Sequence, residues 1–213
     1  MLTIYDYELS AECYAVRLYL AILGVEHTIK PIDAYPGREH ERPPFRTKSP
    51  FARLPVLETV TLTLWDWRGI LIYLAAAHDR VGSWYPTQDA ARLGRVSQWM
   101  SIAQDLQGTA GLARLHDSMF VDADIEKCRA LAHDLLRRID EHLWFQEQTG
   151  ESWLVDGKHP SLADLALFPH VMLSEEGGVD RRDYPAIRRW CDRFKRTPGF
   201  IGMSGIFPAA HGH

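Results

Sequence analysis

The sequence predicts an α/β part followed by an all-helical part, and three observations carry that reading. Strand-like and helix-like runs alternate only up to about residue 80. Beyond it, apolar residues recur at three- and four-residue steps with no good strand signal. A length of 213 residues lies between one large domain and two small ones, and the change of character near residue 80 favours two, with a linker near 78–88.

The first part is read in order. Leu2 to Tyr7 alternates with period two, as a strand does. Cys13, Val16, Leu20 and Leu23 form a helix stripe, and Gly24 is placed to end that helix in the left-handed conformation. His27 to Asp33 reads as a second strand, so the three runs make a βαβ unit with parallel strands. Four prolines, Pro36, Pro43, Pro44 and Pro50, leave room for at most a short helix in the next stretch. Leu54–Leu57 and Thr61–Leu64 suggest a hairpin, and Asp66–Ala77 a helix with Ile70, Leu71 and Leu74 inward.

In the second part, Leu93, Val96, Met100 and Ala103 form one stripe, with Gly108 and Gly111 weakening its end. Ile125, Cys128, Ala132, Leu135, Ile139 and Leu143 form another, and two further helices are expected over about 161–174 and 184–196.

Composition excludes several classes. Hydrophobic residues at 46% and charged residues at 24% exclude general disorder, and a net charge of −4 argues against a nucleic-acid scaffold. The three cysteines, Cys13, Cys128 and Cys191, are odd in number and far apart, which writes no disulfide framework or zinc site and suits a reducing cytoplasm. The opening MLTIYDYE lacks the basic flank of a secretory signal. The longest apolar run, Gly69–Ala77, is far short of the ~20 residues of a membrane span.

Four places invite chemistry. Pro55 opens a strand that otherwise reads as central; either Leu54–Pro55 is cis, leaving the Leu54 backbone facing outward, or Pro55 is an ordinary trans proline on an edge strand. Ser10 begins the first helix, as an N-cap or as a hydroxyl facing a bound thiol. Cys13 lies on the apolar stripe, which suits core more than a redox centre. Asp66-Trp67-Arg68-Gly69 starts the third helix, where Asp66 suits a cap or an amino group and the N–H groups beyond it suit a carboxylate. Ser161-Leu162-Ala163-Asp164 is a capping-box variant with a structural role. The C-terminal arginine pairs read as a solvated face, and His211-Gly212-His213 as a tail.

Six segments in order carry a resemblance: SAECYAVRLYLAILGVEH, YPGREH, SPFARLPVLE, DWRGILIYLA, WLVDGKHPSLADLALFPHV and YPAIRRWCDRFKRTPGF. The chain resembles a bacterial cytosolic glutathione transferase of the serine type along essentially its full length. That resemblance implies a thioredoxin-like glutathione-binding domain over 1–79 and an all-helical domain over 88–213 lining the electrophile pocket. It implies Ser10 as the hydroxyl that stabilises the glutathione thiolate. It also implies Leu54, ahead of a cis Pro55, as backbone partner of the cysteinyl unit, with Asp66, Trp67, Arg53 and His40 completing the glutathione site. Met100, Ile102, Arg114 and His116 would border the electrophile pocket. Glutathione is the implied co-substrate, with no metal, and the partners are a small hydrophobic electrophile and a second copy of the chain in a cytoplasmic homodimer, with neither nucleic acid nor membrane. One departure stands out: Trp67 occupies a position where the family usually has Ser or Thr. The lost hydroxyl predicts ~1.5–3 kcal/mol, roughly ten- to a hundredfold, of weakened glutathione binding, with added bulk at the same spot. Two alternatives accompany this reading: a binding protein of the same fold with impaired catalysis, and a glutathione-dependent disulfide reductase or peroxidase using Cys13.

Overall fold

A computed structural model describes residues 2–203; the His211-Gly212-His213 tail and the end of the expected second domain lie outside the described residues. Among the described residues two compact units form, Leu2–Arg80 with Pro198–Ile201, and Val81–Thr197 with Gly202 and Met203.

In the first unit, β1 (Thr3–Asp6), α1 (Ala11–Leu23) and β2 (Thr28–Pro31) form the expected parallel βαβ unit. Gly24 ends α1 at φ 64°, where a side chain would be strained. The proline-rich stretch holds only a 3-10 turn, Glu39–Glu41, and α2 (Pro43–Arg46). β3 (Val56–Glu58) and β4 (Thr63–Leu64) make the hairpin, and α3 (Trp67–His78) follows. The sheet order is β2-β1-β3-β4, with β3 antiparallel to both neighbours. This is the thioredoxin-like architecture.

β1 is central and covered on both faces: Ile4 is fully buried, while Tyr5 joins Ile32, Phe45 and Val56 in a cluster that Leu54 and Trp65 flank. Ile70, Leu71 and Leu74 of α3 are buried as expected, and α3 packs along α1. Pro55 stands just ahead of β3, so it removes no ladder hydrogen bond. Residues 198–201 return to this unit, where the Tyr14 hydroxyl donates to the Ile201 carbonyl at 2.6 Å.

The second unit is helical: α4 (Ala90–Leu106), α5 (Leu112–Met119), α6 (Ile125–Gln148), α7 (Leu162–Met172) and α8 (Pro185–Phe194). α7 is buried at every residue and packs against α4 and α8, which makes it the axis of the unit. At Gly108 and Gly111, expected to weaken the end of its stripe, α4 gives way to a π turn, Gln107–Gly111, that carries the helix on into α5. One detail differs from the sequence expectation, the buried leucine of α6. On α6 the buried residue is Leu136 rather than Leu135, because the face set by Ala132, Ile139 and Leu143 advances by four, three and four residues.

Gly177 marks a close approach inside this unit: a Cβ there would sit 2.5 Å from the backbone nitrogen of Arg114. Gly177→Ala is therefore expected to destabilise the protein by ~1–3 kcal/mol, because backbone rather than a flexible side chain must move. Urea unfolding measures it, and an unchanged midpoint would contradict the close approach.

Candidate functional site

Strand register brings the predicted residues to one end of the sheet. β1 and β3 pair Tyr5 with Val56, so continuing the register sets Leu54 beside Tyr7, just past the end of β1. β3 and β4 pair Leu57 with Leu64, so the same continuation sets Asp66 beside Pro55. Ser10 follows Tyr7 in a tight turn, its N–H donating to the Tyr7 carbonyl at 3.0 Å. β2, parallel to β1, ends on the same side and leads into the segment that carries His40. Ser10, Leu54 and Asp66 thus share the end of the sheet where β1 and β2 finish.

Leu54–Pro55 is cis, as is Tyr35–Pro36. Among the described residues neither the N–H nor the C=O of Leu54 makes a hydrogen bond. Backbone groups left unpaired at the head of a strand can pair with an added extended peptide.

Ser10 is the N-cap of α1. Its Oγ accepts the Cys13 N–H at 3.1 Å, and its O–H donates to Glu12 Oε2 at 2.7 Å. Cys13 itself is fully buried, and burial pushes its thiol well above the usual range, with the nearby Asp6 carboxylate adding to the rise. A thiol so placed resists forming the thiolate that redox chemistry requires. Asp6 is held by Arg17, whose Nη1 donates to both carboxylate oxygens at 2.5 and 2.6 Å.

At the head of α3, Asp66 caps the helix: its Oδ1 accepts from the N–H groups of Arg68 at 3.1 Å and Gly69 at 3.0 Å. Its Oδ2 faces two guanidiniums, Arg68 at 3.5 Å and Arg53 at 4.0 Å. One carboxylate between two arginines at a helix N-terminus leaves local positive charge, suited to a ligand bearing both an amine and a carboxylate. Trp67 is only 5% exposed and counts among the buried residues of α3. Trp67→Ser is consequently expected to cost ~3–5 kcal/mol of stability by cavity formation; a thermal-unfolding midpoint equal to wild type would sink that assignment.

His40 is half-buried, its Nε2 3.9 Å from Glu41 and its Nδ1 enclosed without a hydrogen-bond partner. It lines an open cavity of about 510 Å³ with Glu41, Arg46, Pro50, Phe51 and Ala52. Phe51 is 66% exposed, packs against Trp65 with tilted rings 5.0 Å apart between centroids, and lies beneath the Arg53 guanidinium.

The residues expected to border a second pocket fare differently. Arg114 is buried and its Nε donates to Glu176 at 2.6 Å, and Met100 is buried as well. Both face the interior of the helical unit. His116 pairs through Nδ1 with the Val121 carbonyl at 2.9 Å, and Ile102 is half-buried. Three residues had not been singled out from sequence: Glu12, Arg68 and Phe51. Glu12 and Arg68 each lie two residues beyond a cap, a spacing that offered a signal; Phe51 offered none.

Among the described residues, no group of three or more His, Cys, Asp or Glu is placed to hold a metal ion, and no helix is long and apolar enough to cross a membrane.

Comparison with known proteins gives consistent findings. Residues 1–76 match the glutathione S-transferase N-terminal domain, and residues 122–193 match the glutathione S-transferase C-terminal domain. Glutathione S-transferase F13 of Arabidopsis thaliana is 25% identical over 207 residues, covering 94% of this chain and 94% of that protein. The crystal structure of a possible glutathione S-transferase from Rhodopseudomonas palustris superimposes with a TM-score of 0.83 at 26% identity, covering 95% of this chain and 97% of that one. A glutathione transferase homolog from Lodderomyces elongisporus, solved with two GSH per subunit, shares the fold at a TM-score of 0.80 and 18% identity, over 93% of this chain and 94% of that one.

Proposed function

Because the chain belongs to the glutathione S-transferase family, we propose that it binds glutathione and transfers its thiolate to a small hydrophobic electrophile. The observation that carries this reading is the Leu54 backbone pair, left without hydrogen bonds at the same sheet end as Ser10 and Asp66. In the proposal, the cysteinyl unit of glutathione adds to Leu54 as a short antiparallel strand. Its sulfur then lies toward Ser10 at the N-terminus of α1. The γ-glutamyl amine meets Asp66, while Arg53, Arg68 and the α3 N-terminus take its carboxylate. His40, with its enclosed Nδ1, faces the glycine end. Trp67 contributes through its backbone and through packing.

A second reading has one observation in its favour. The only proton of the Ser10 hydroxyl is already donated to Glu12, which suits a protein that holds glutathione without activating it. The reductase alternative is disfavoured by the buried, hard-to-ionise Cys13. A twofold homodimer and a cytoplasmic location complete the proposal; three unpaired, buried cysteines fit a reducing compartment.

Calorimetric titration with glutathione tests the proposal. Saturable heat is expected at submillimolar to millimolar ligand, weakened by Asp66→Ala. Absence of binding at millimolar ligand would sink both readings, whereas binding without turnover of any aryl or alkyl halide would favour the second. A monomer in sedimentation would remove the dimer.

A further inference from the structure

We infer that Glu12 is a positioning residue that competes with the bound sulfur for the Ser10 proton and so holds back thiolate formation in this protein. This inference rests on the glutathione reading above. A serine hydroxyl has one proton to donate and two lone pairs to accept with. Here one lone pair takes the Cys13 N–H at 3.1 Å, and the proton goes to Glu12 Oε2 at 2.7 Å. That second bond is charge-assisted, the stronger kind. A thiolate arriving at Ser10 meets an oxygen whose hydrogen already points elsewhere.

The activating step then has a definite form. The S–H bond of glutathione breaks and its proton passes to solvent. The Ser10 O–H turns from Glu12 Oε2 to the sulfur, keeping its covalent bond, and the Cys13 N–H contact keeps the oxygen in place. Two anions, the thiolate and the Glu12 carboxylate, seek the same donor, so whatever Glu12 retains the thiolate lacks. Glu12 occupies the first turn of α1, where a carboxylate interacts favourably with the helix N-terminus; its cost falls on the ligand, not on the fold. The other charged groups at this end are Asp6, tied to Arg17, the exposed Glu8, and, on α3 and the strand leading to it, Asp66 with Arg68 and Arg53. None of these is shown within hydrogen-bond distance of the Ser10 hydroxyl.

The thiolate's ultraviolet absorbance, followed against pH with glutathione bound, reads the effect. Wild type, Glu12→Gln and Glu12→Ala are compared, each with and without Ser10→Ala. Glu12→Gln keeps the size of the side chain and guards against loss of folding. The glutathione thiol is expected to ionise at lower pH in Glu12→Ala, by about one unit, which is about tenfold more thiolate below the transition. Glu12→Gln should shift in the same direction by less, since its amide oxygen still accepts. In the Ser10→Ala background most of the shift should vanish, because no proton remains to compete for. An unchanged or raised transition in Glu12→Ala overturns the inference. So does a shift of equal size without Ser10, which would mean that Glu12 acts by charge alone. If glutathione fails to bind wild type, the functional reading falls and takes this inference with it; binding without the shift overturns the inference alone.

Discussion

Replacing Asp164 by alanine is expected to remove ~3–6 kcal/mol of stability, a large fraction of what a domain usually holds. The side chain is fully buried at the start of α7. Its Oδ2 accepts from the Ser161 N–H at 2.9 Å and the Ser161 hydroxyl at 3.1 Å, closing the capping box. Its Oδ1 accepts from the Leu154 N–H at 3.0 Å and the Trp190 indole N–H at 2.9 Å. One carboxylate therefore joins the central helix to the loop before it and to α8. Truncation leaves buried donors without acceptors, each costing ~1–3 kcal/mol. Asn is expected to do little better, because one of its two positions becomes a donor facing donors. Denaturant unfolding followed by tryptophan fluorescence measures the loss; a change under ~1 kcal/mol would show that the donors find other partners.

Ser10→Ala is expected to lower conjugation with an aryl halide by ~10²–10³-fold, the usual effect of removing one donor from a developing or resident anion. The effect should fall on kcat and on the acid limb of the pH profile more than on glutathione affinity, since the Leu54 backbone and the Asp66 cluster are untouched. A separate loss of ~1 kcal/mol of stability accompanies it, because Ser10 also caps α1. Ser10→Thr keeps both functions and should restore most of the rate. An alanine variant that conjugates at the wild-type rate would remove Ser10 from the mechanism.

Much of this architecture was legible because local physics writes it plainly. The stripes of α1, α3 and α4, the glycine at the end of α1 and the Ser161 cap all follow from helical periodicity and capping chemistry acting over a few residues. Where the reading erred, the deciding term was geometric or distant. Leu135 and Leu136 are equally apolar neighbours, and only the accumulated turn of α6 selects the second. The glycines at 108 and 111 signalled a weak point, but that it takes the form of a π turn leading into α5 is set by packing beyond the local sequence. For the candidate site, residue identities were readable but their environments were not. Ser10 was visible as a cap, whereas the direction of its proton depends on the rotamer of Glu12. Trp67 was visible as a departure, but its burial depends on how α3 packs. Asp164 was visible as a cap partner, and its bonds to Leu154 and Trp190 span 10 and 26 residues.

The return of residues 198–201 to the first unit has a consequence in time. The sheet and its helices emerge early from the ribosome, but the acceptor for the Tyr14 hydroxyl is made more than a hundred residues later. At ~5–20 residues per second, this leaves roughly ten seconds during synthesis in which the nascent N-terminal unit lacks its last strip of packing. Nor does cutting the chain after Arg80 liberate a finished module. A truncated piece of that kind carries an open seam along α1, and residues 198–201 are what close it.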